Sequence, residues 1–314
     1  MIISASRRTD IPAFYTEWFL NRVSEGYVLL KNPFNAHQIR RVSLRPEDVD
    51  LIVFWTRNAE KLMPSLSQLD ARGYRYYFQY TINAYPRSVE KSVPPPRRAI
   101  HTFIELSNRI GASKVVWRYD PILVSNLSSV EEHKRLFEKI ARALTGHTQR
   151  VVISFVDIYK RVSANIGRVP GLSVDKEFAN SSAVLDLAQH FSDVAEQCGM
   201  SIQSCAEEID LESQGIRHGK CIDDELIRSL YSISVSAKKD KGQRLPCGCV
   251  ESVDIGQYDT CLHGCQYCYA TTNHPLAVRN FGKHNPNSPL LIGEPNQGEA
   301  TRQPDGESQQ ESLF

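Results

Sequence analysis

The densest chemistry of the chain lies near its C-terminal end, in Cys261-Leu262-His263-Gly264-Cys265-Gln266-Tyr267-Cys268-Tyr269-Ala270. Three thiolates spaced C-x3-C-x2-C in one short loop close around a single inorganic cluster. Such a set holds three irons of a [4Fe-4S] cube and leaves the fourth without a protein ligand, open to a small molecule. Four more cysteines, Cys205, Cys221, Cys247 and Cys249, suffice for a second site, either an auxiliary iron-sulfur cluster or structural zinc. Zinc ribbons present C-x2-C knuckles, so the tighter Cys247-Gly248-Cys249 favours iron and sulfur. Cys198, on a helical segment, reads as a small core residue, and His263 as a hydrogen-bonding loop residue rather than a ligand.

The decapeptide has the form C-x-H-x-C-x-Y-C-Y-A. It resembles the cluster loop of radical S-adenosylmethionine (radical SAM) enzymes, and is most similar to the branch that contains spore photoproduct lyase and related presumed DNA-repair proteins. Over roughly residues 1 to 290 the chain also resembles a bacterial family, DUF1848, whose C-terminal cysteine cluster is likened to that loop. The resemblance implies a [4Fe-4S] cluster on Cys261, Cys265 and Cys268, with SAM chelated to the open iron through its amino and carboxylate groups. An electron from a separate donor would then cleave the sulfonium C-S bond, and the 5'-deoxyadenosyl radical would abstract hydrogen from substrate. Tyr267 would stack near the adenine.

In most such enzymes the loop follows the first barrel strand, whereas here it comes last. A permutation accounts for this if Val250-Ile255 takes the place of the usual first strand, beside Ile2-Ser6. No Gly-Gly-Glu segment of the kind that binds the amino group of SAM follows any strand. Arg7, Thr9, Asp10 and Arg118 are therefore, with Tyr267, the candidates for cofactor contacts.

Six short apolar runs must position these groups: Ile2-Ser6, Asp50-Trp55, Tyr74-Thr81, Lys114-Tyr119, Arg150-Phe155 and Met200-Ser204. Each is nearly continuous in Val, Ile, Phe and Tyr, as expected of parallel strands covered on both faces. Helical periodicity fills the intervals at Ile11-Ser24, Ala59-Ala71, Arg97-Ile110, Ser129-Leu144 and Ser182-Cys198, and returns at Asp223-Ser232. Gly26, Gly73, Gly111, Gly146 and Gly199 follow helical segments as C-terminal caps, a hairpin is expected at Tyr27-Lys31 and Gln38-Leu44, and Ser128 with Glu131 could form a capping box. The alternation predicts an α/β fold, a (β/α) barrel or partial TIM-like barrel with a C-terminal iron-sulfur segment. Strand ends carry the active site of such barrels. Here they carry Arg7-Arg8-Thr9-Asp10, Trp55-Thr56-Arg57-Asn58, Gln79-Tyr80-Thr81-Ile82-Asn83, Arg118-Tyr119-Asp120-Pro121, Ser154-Phe155-Val156-Asp157 and Cys205-Ala206-Glu207-Glu208. From these, Arg7, Asp10, Arg118, Asp120 and Glu207 are the candidate catalytic residues, with ion pairs closing the rim as the structural alternative.

At 314 residues and 41% hydrophobic, the chain can bury about three quarters of its unfolded surface, so its cysteines are not needed as disulfide staples. Met1-Ser6 running into Arg7-Arg8-Thr9-Asp10 does not resemble a signal peptide, so none is expected, and no apolar run reaches about 20 residues. A cytoplasmic protein is expected, with cysteines as metal ligands or reactive thiols. The net charge of +1 excludes a global basic field for nucleic acid; any DNA contact must be local, with Arg7-Arg8, Arg40-Arg41 and Arg97-Arg98 as candidates.

Three regions are expected: a barrel over residues 1–236, a cysteine-rich segment packed on it over 237–292, and a polar, disordered tail over 293–314. The tail ends in Gln310-Glu311-Ser312-Leu313-Phe314, which looks like the bacterial sliding-clamp-binding motif. The reading that follows is a radical SAM-type enzyme acting on DNA or a nucleotide. Two rivals stand beside it: a zinc-stabilised barrel hydrolase or lyase on phosphorylated or nucleic-acid substrates, and a non-enzymatic replication-associated adaptor that uses the tail.

Overall fold

A computed structural model describes residues 1–32 and 38–295; the clamp-like Gln310-Phe314 lies outside the described residues. The elements begin with β1 (Ile2–Ala5), α1 (Ile11–Phe14), α2 (Thr16–Glu25), β2 (Tyr27–Lys31), β3 (Ile39–Ser43) and β4 (Leu51–Thr56). There follow α3 (Leu66–Ala71), β5 (Tyr76–Thr81), α4 (Pro96–Ile110), β6 (Val115–Ile122), α5 (Val130–Leu144) and β7 (Arg150–Phe155). The chain continues through α6 (Lys160–Ile166), α7 (Ala183–Gln197), β8 (Ser201–Cys205), β9 (Arg217–Gly219), α8 (Asp224–Tyr231), β10 (Val253–Asp254) and α9 (His274–Phe281).

Eight of the strands form one sheet in the order β10-β1-β4-β5-β6-β7-β8-β9, every pair parallel. β2 and β3 form the expected antiparallel hairpin. From β1 to β9 each sheet strand lies beside its predecessor in the chain. Alternation along the strands sorts their side chains between two cores. Ile3, Ala5, Ile52, Phe54, Tyr76, Phe78, Val115, Trp117, Val151 and Ile153 face one side, where they meet Trp18 and Phe19 of α2, Leu66 and Leu69 of α3, Phe103 of α4, Phe137 of α5 and Phe191 of α7. Ile2, Leu51, Val53, Tyr77, Val116 and Val152 face the other, against Cys221, Ile222, Leu226, Ile227, Cys247, Cys249 and Val250. The crossover helices α2, α3, α4, α5 and α7 thus share one face, a singly wound arrangement, while α8 lies on the other face within the covering segment.

A closed barrel is not formed: among the described residues no pairing joins β9 to β10, so the sheet keeps two edges. What stands in place of closure is the segment from Cys221 to Val250, which covers the second face. β10 lies beside β1 with Ile3 opposite Val253 and Ser4 opposite Asp254, the neighbour relation that the permutation requires. Asp254 fastens this edge, accepting hydrogen bonds from Ser4 Oγ (2.9 Å), Ser6 Oγ (2.5 Å) and the backbone N–H groups of Arg7 (2.8 Å) and Gly256 (3.0 Å).

Several boundaries differ from the sequence reading. The first helix splits at Tyr15, which leaves helical geometry and sends its hydroxyl to Thr260 O at 2.7 Å. The second begins late because Pro64, with no N–H to donate, sits in a tight 3-10 turn at Met63–Ser65 before α3. The cap of α5 is Ser129, which accepts from Glu132 N at 3.3 Å, one residue on from the expected box. α6, β9 and α9 were not expected. All five helix-following glycines have positive φ; at Gly26, φ 77° and ψ 13°, this is the left-handed cap itself. Cys198 is a core residue, 6% exposed among the α7 side chains.

Candidate metal and cofactor site

Asp10 is the hinge between the strand ends and the cysteine loop. It caps α1, its Oδ1 accepting from Ala13 N (2.9 Å) and from Thr56 Oγ1 at the end of β4 (2.8 Å). Its Oδ2 accepts from Arg57 N (2.7 Å) and from His263 Nε2 in the loop (2.7 Å). With the Asp10 carboxylate as the acceptor in all four contacts, the imidazole proton facing it sits on Nε2. His263 is therefore a hydrogen-bonded loop residue, edge-on to Phe14 at 4.7 Å, and its Nδ1 is left as a buried acceptor without a partner.

Tyr267 is anchored as firmly. Its hydroxyl donates to Glu90 Oε1 and accepts from Arg57 Nη2 and from Asn83 Nδ2 (3.3 Å), while Arg57 Nη1 donates to the same Glu90 oxygen at 2.7 Å. The ring is 6% exposed and packs against Tyr85 with centroids 5.5 Å apart. Backbone bonds from Gln266 N to Val89 O and from Ser92 N to His263 O, each 2.9 Å, stitch the loop to the segment after β5. Within this frame Cys261, Cys265 and Cys268 lie close enough to feel one another's charge. Burial pushes the Cys265 thiol up to about 12 although Arg57 lies nearby, and burial followed by Cys268 drives Cys261 well above the usual thiol range. Both are protonated near neutral pH, so a metal bound there must displace protons.

Deeper, on the second face of the sheet, lies the other thiol group. Cys205 ends β8; Cys221 follows β9; Cys247 and Cys249 come in the covering segment. Cys205 Sγ and Cys221 Sγ are 2.9 Å apart, and Cys221, Cys247 and Cys249 pack in one buried cluster with Cys205 against it. Cys249 Sγ also accepts from Ile222 N at 3.4 Å. Arg118 reaches Cys221 Sγ with Nη1 at 2.6 Å and grips Asp120 Oδ2 with Nε at 2.8 Å. Burial works against the Asp120 charge, but Arg118 and the Ser154 hydroxyl more than offset it and hold the carboxyl below its ordinary range. Arg7 and Arg118 flank the Trp55 indole at 5.2 and 5.1 Å. Burial also opposes the charge of Arg7, which the neighbouring Cys249, Asp254, Cys247 and Asp240 more than restore. Glu207 is the exception on this rim. Burial pushes its carboxyl up to about 8, only partly countered by the N–H of Phe155 at 2.9 Å, so it is mostly neutral at pH 7.

The candidates thus fall into two neighbourhoods. Asp10 and Tyr267 belong with the loop; Arg118 and Asp120 are each other's partners beside the second thiol group, and Arg7 lies next to Cys247 and Cys249. Of the polar candidates only Arg7 and Thr9 keep a buried atom, Nη2 and Oγ1, without a partner. Among the described residues no group of three or more His, Cys, Asp or Glu is laid out as a ready ion-binding site. Glu90 and Asp254 were missed. Glu90 sits in an irregular segment whose partner is 33 residues away, and Asp254 is one of two acids in the short run Val250-Ile255; neither carries a local signal.

These features define a singly wound, parallel α/β protein with two thiol groups set at its strand ends and across one sheet face. The chain belongs to the family described as domain of unknown function DUF1848, which matches residues 2–270 and so takes in all eight cysteines. No curated protein and no solved structure matches it. No described helix is long and apolar enough to cross a membrane.

Proposed function

We propose that the protein is an iron-sulfur enzyme of the radical SAM type, built on a partial (β/α) barrel, with Cys261, Cys265 and Cys268 as the ligands of a [4Fe-4S] cluster. The observation that carries this reading is the setting of the loop. Three half-buried thiols share the loop with His263 Nδ1, a buried polar atom without a partner, and the first strand end, which Tyr269 Oη joins to the loop through Arg7 O, keeps two more such atoms, Arg7 Nη2 and Thr9 Oγ1. Unpaired buried polar groups are costly, and a polar ligand bound at the loop would relieve that cost. Three thiolates suit a cube with one open iron.

Bound there, the cluster would supply an open iron for SAM and a low-potential electron for its reductive cleavage to a 5'-deoxyadenosyl radical. The role of the chain is to hold the parts. Asp10 fixes the tautomer and orientation of His263. Arg57 and Glu90 hold Tyr267, between two of the ligands, so that the loop keeps its shape as the thiols lose their protons. Arg7 and Thr9 offer donors to an anionic or polar part of the cofactor.

DNA or a nucleotide is the proposed substrate class, on the likeness of the loop to the photoproduct-lyase branch and on the clamp-like Gln310-Phe314, and an external electron donor is required. Anaerobic reconstitution should give an oxygen-sensitive [4Fe-4S] absorption and, with reductant, 5'-deoxyadenosine from SAM; both should vanish in Cys261→Ala/Cys265→Ala/Cys268→Ala. Wild-type protein that yields neither would overturn the proposal. Leu313→Ala with Phe314→Ala should abolish binding to a bacterial sliding clamp, and unchanged binding would remove the tail from the argument.

A further inference from the structure

We infer that Cys205, Cys221, Cys247 and Cys249 bind one tetrahedral, thiolate-ligated metal ion of the zinc class, which pins the covering segment to the second face of the sheet. The inference does not depend on the loop cluster or on radical chemistry.

The four residues come from three places in the chain: the end of β8, the turn after β9, and the segment before β10. Chain topology alone would not gather four thiols from these places. Yet all four meet in one place: Cys221, Cys247 and Cys249 share a buried cluster against which Cys205 packs, and Cys205 Sγ lies 2.9 Å from Cys221 Sγ. Cys221, Cys247 and Cys249 are 1%, 5% and 2% exposed. Their backbones are held independently of the thiols. Cys221 O accepts from Tyr77 Oη at 2.6 Å and Gln79 Nε2 at 2.7 Å, Val250 N donates to Ile222 O at 3.1 Å, and Asp240 N donates to Cys249 O at 2.9 Å. The positions are built, and only the side chains need to turn.

Sulfur spacing selects the kind of metal. Four sulfurs about 2.3 Å from a zinc ion sit about 3.8 Å from each other in a tetrahedron. A cubane instead spreads its four ligands over four separate irons, which sets them much further apart. The thiols here are already in contact, with Cys205 and Cys221 at 2.9 Å. A slight outward rotation makes room for one ion, whereas a cube would require the covering segment to lift from the sheet. This reverses the preference for iron and sulfur drawn from the Cys-Gly-Cys spacing. The charge balance also suits the assignment: four thiolates and one divalent ion leave a net of about −2, which faces the buried guanidiniums of Arg7 and Arg118. Arg118 and the Ile222 N–H already donate to two of the sulfurs, the outer-shell support that tunes and orients metal ligands.

The test uses the full-length chain with the loop disabled, Cys261→Ala/Cys265→Ala/Cys268→Ala, so that any remaining metal reports on the second group alone. Elemental and sulfide analysis should find about one zinc per chain with no sulfide. Replacing the zinc with cobalt(II) should give the intense visible bands of a tetrahedral thiolate complex, a readout that needs no further cysteine removed. Adding Cys247→Ala and Cys249→Ala should abolish both signals. A folded loop variant that binds no metal, one that carries iron and sulfide, or one whose denatured form lacks two free thiols because Cys205 and Cys221 are disulfide-bonded, would each overturn the assignment. Because the loop variant keeps the second group whole, failure of the proposed loop cluster and failure of this site give separate results.

Discussion

Arg57 and Glu90 are almost wholly out of water, with side chains 12% and 3% exposed, so the worth of their pair lies less in its attraction than in what removal of one partner would leave behind. Glu90→Ala strands a buried guanidinium against Tyr267. Loss of one half of a buried pair costs about 3–5 kcal/mol, and Glu90→Ala should be destabilised by that amount in urea unfolding. Tyr267→Phe removes one hydroxyl from the network and should cost about 1–3 kcal/mol. If Glu90→Ala were no worse than Tyr267→Phe, the ion pair would not be what anchors the loop. His133 offers a residue-level test by pH. It is fully buried, with Nδ1 2.8 Å from Tyr119 Oη and Nε2 3.1 Å from Leu123 O. Burial pulls its pKa from 6.5 down to about 4, against the opposing effect of the Leu123 carbonyl. Between those values the unfolded chain takes up a proton that the folded one refuses. The stability from neutral His133 is therefore complete above pH 6.5 and is lost as pH falls toward 4, a change of about 3 kcal/mol. His133→Gln should remove that part of the pH dependence; identical pH slopes for variant and wild type would refute the account.

Among the elements, the β1–β10 edge leaves no room for a side chain at Gly256. A methyl group on Gly256 would come within 2.1 Å of Ser6 Oγ and 2.6 Å of Ser6 Cβ, so Gly256→Ala must push apart the strand ends that Asp254 joins. Overpacking of this kind costs about 1–3 kcal/mol, and hydrogen exchange should show faster amide exchange at Ser4, Arg7 and Ile255 while α5 and β7 stay protected. Uniform change across the chain would argue against a local effect. The same comparison shows what a sequence can convey. Strands such as β4 were legible because Leu51-Ile52-Val53-Phe54 is apolar at every position, which only a strand buried on both faces requires. The Val250-Ile255 strand and its neighbour were legible through the permutation. α3 was misjudged because periodicity continued through Pro64, and β9 was missed because three residues, Arg217–Gly219, hold no pattern. The Arg-Thr-Asp of the first strand end was visible as a cluster, but the division of labour within it was not: Asp10 is spent on four donors, while Arg7 and Thr9 retain free atoms, and three of those four donors come from residues 46 to 253 positions away.

At the scale of the molecule, the C-terminal segment and the N-terminal elements are one body. Trp18 Nε1 donates to Ser288 O (3.0 Å) and Leu290 O (3.1 Å), Arg22 Nη2 to Asn287 O (3.0 Å), and Leu29 N to Pro289 O (2.9 Å). Leu291, 3% exposed, lies in the same core as Phe19 and Phe54. Leu291→Ala should then cost about 2–5 kcal/mol, with tryptophan fluorescence and circular dichroism shifting together in denaturant. Separate transitions would mean that the segment is an independent unit. The β1–β10 pairing also bears on how the protein is made. Chains emerge from the ribosome N-terminus first and fold as they appear, so β1 is among the first segments available and waits some 250 residues for its outer neighbour. Every cysteine comes at or after position 198. Most of the sheet can therefore assemble before a single thiol has been synthesised, and a metal bound at either of the proposed sites would enter a scaffold already largely formed, as the last act of biosynthesis rather than its nucleus.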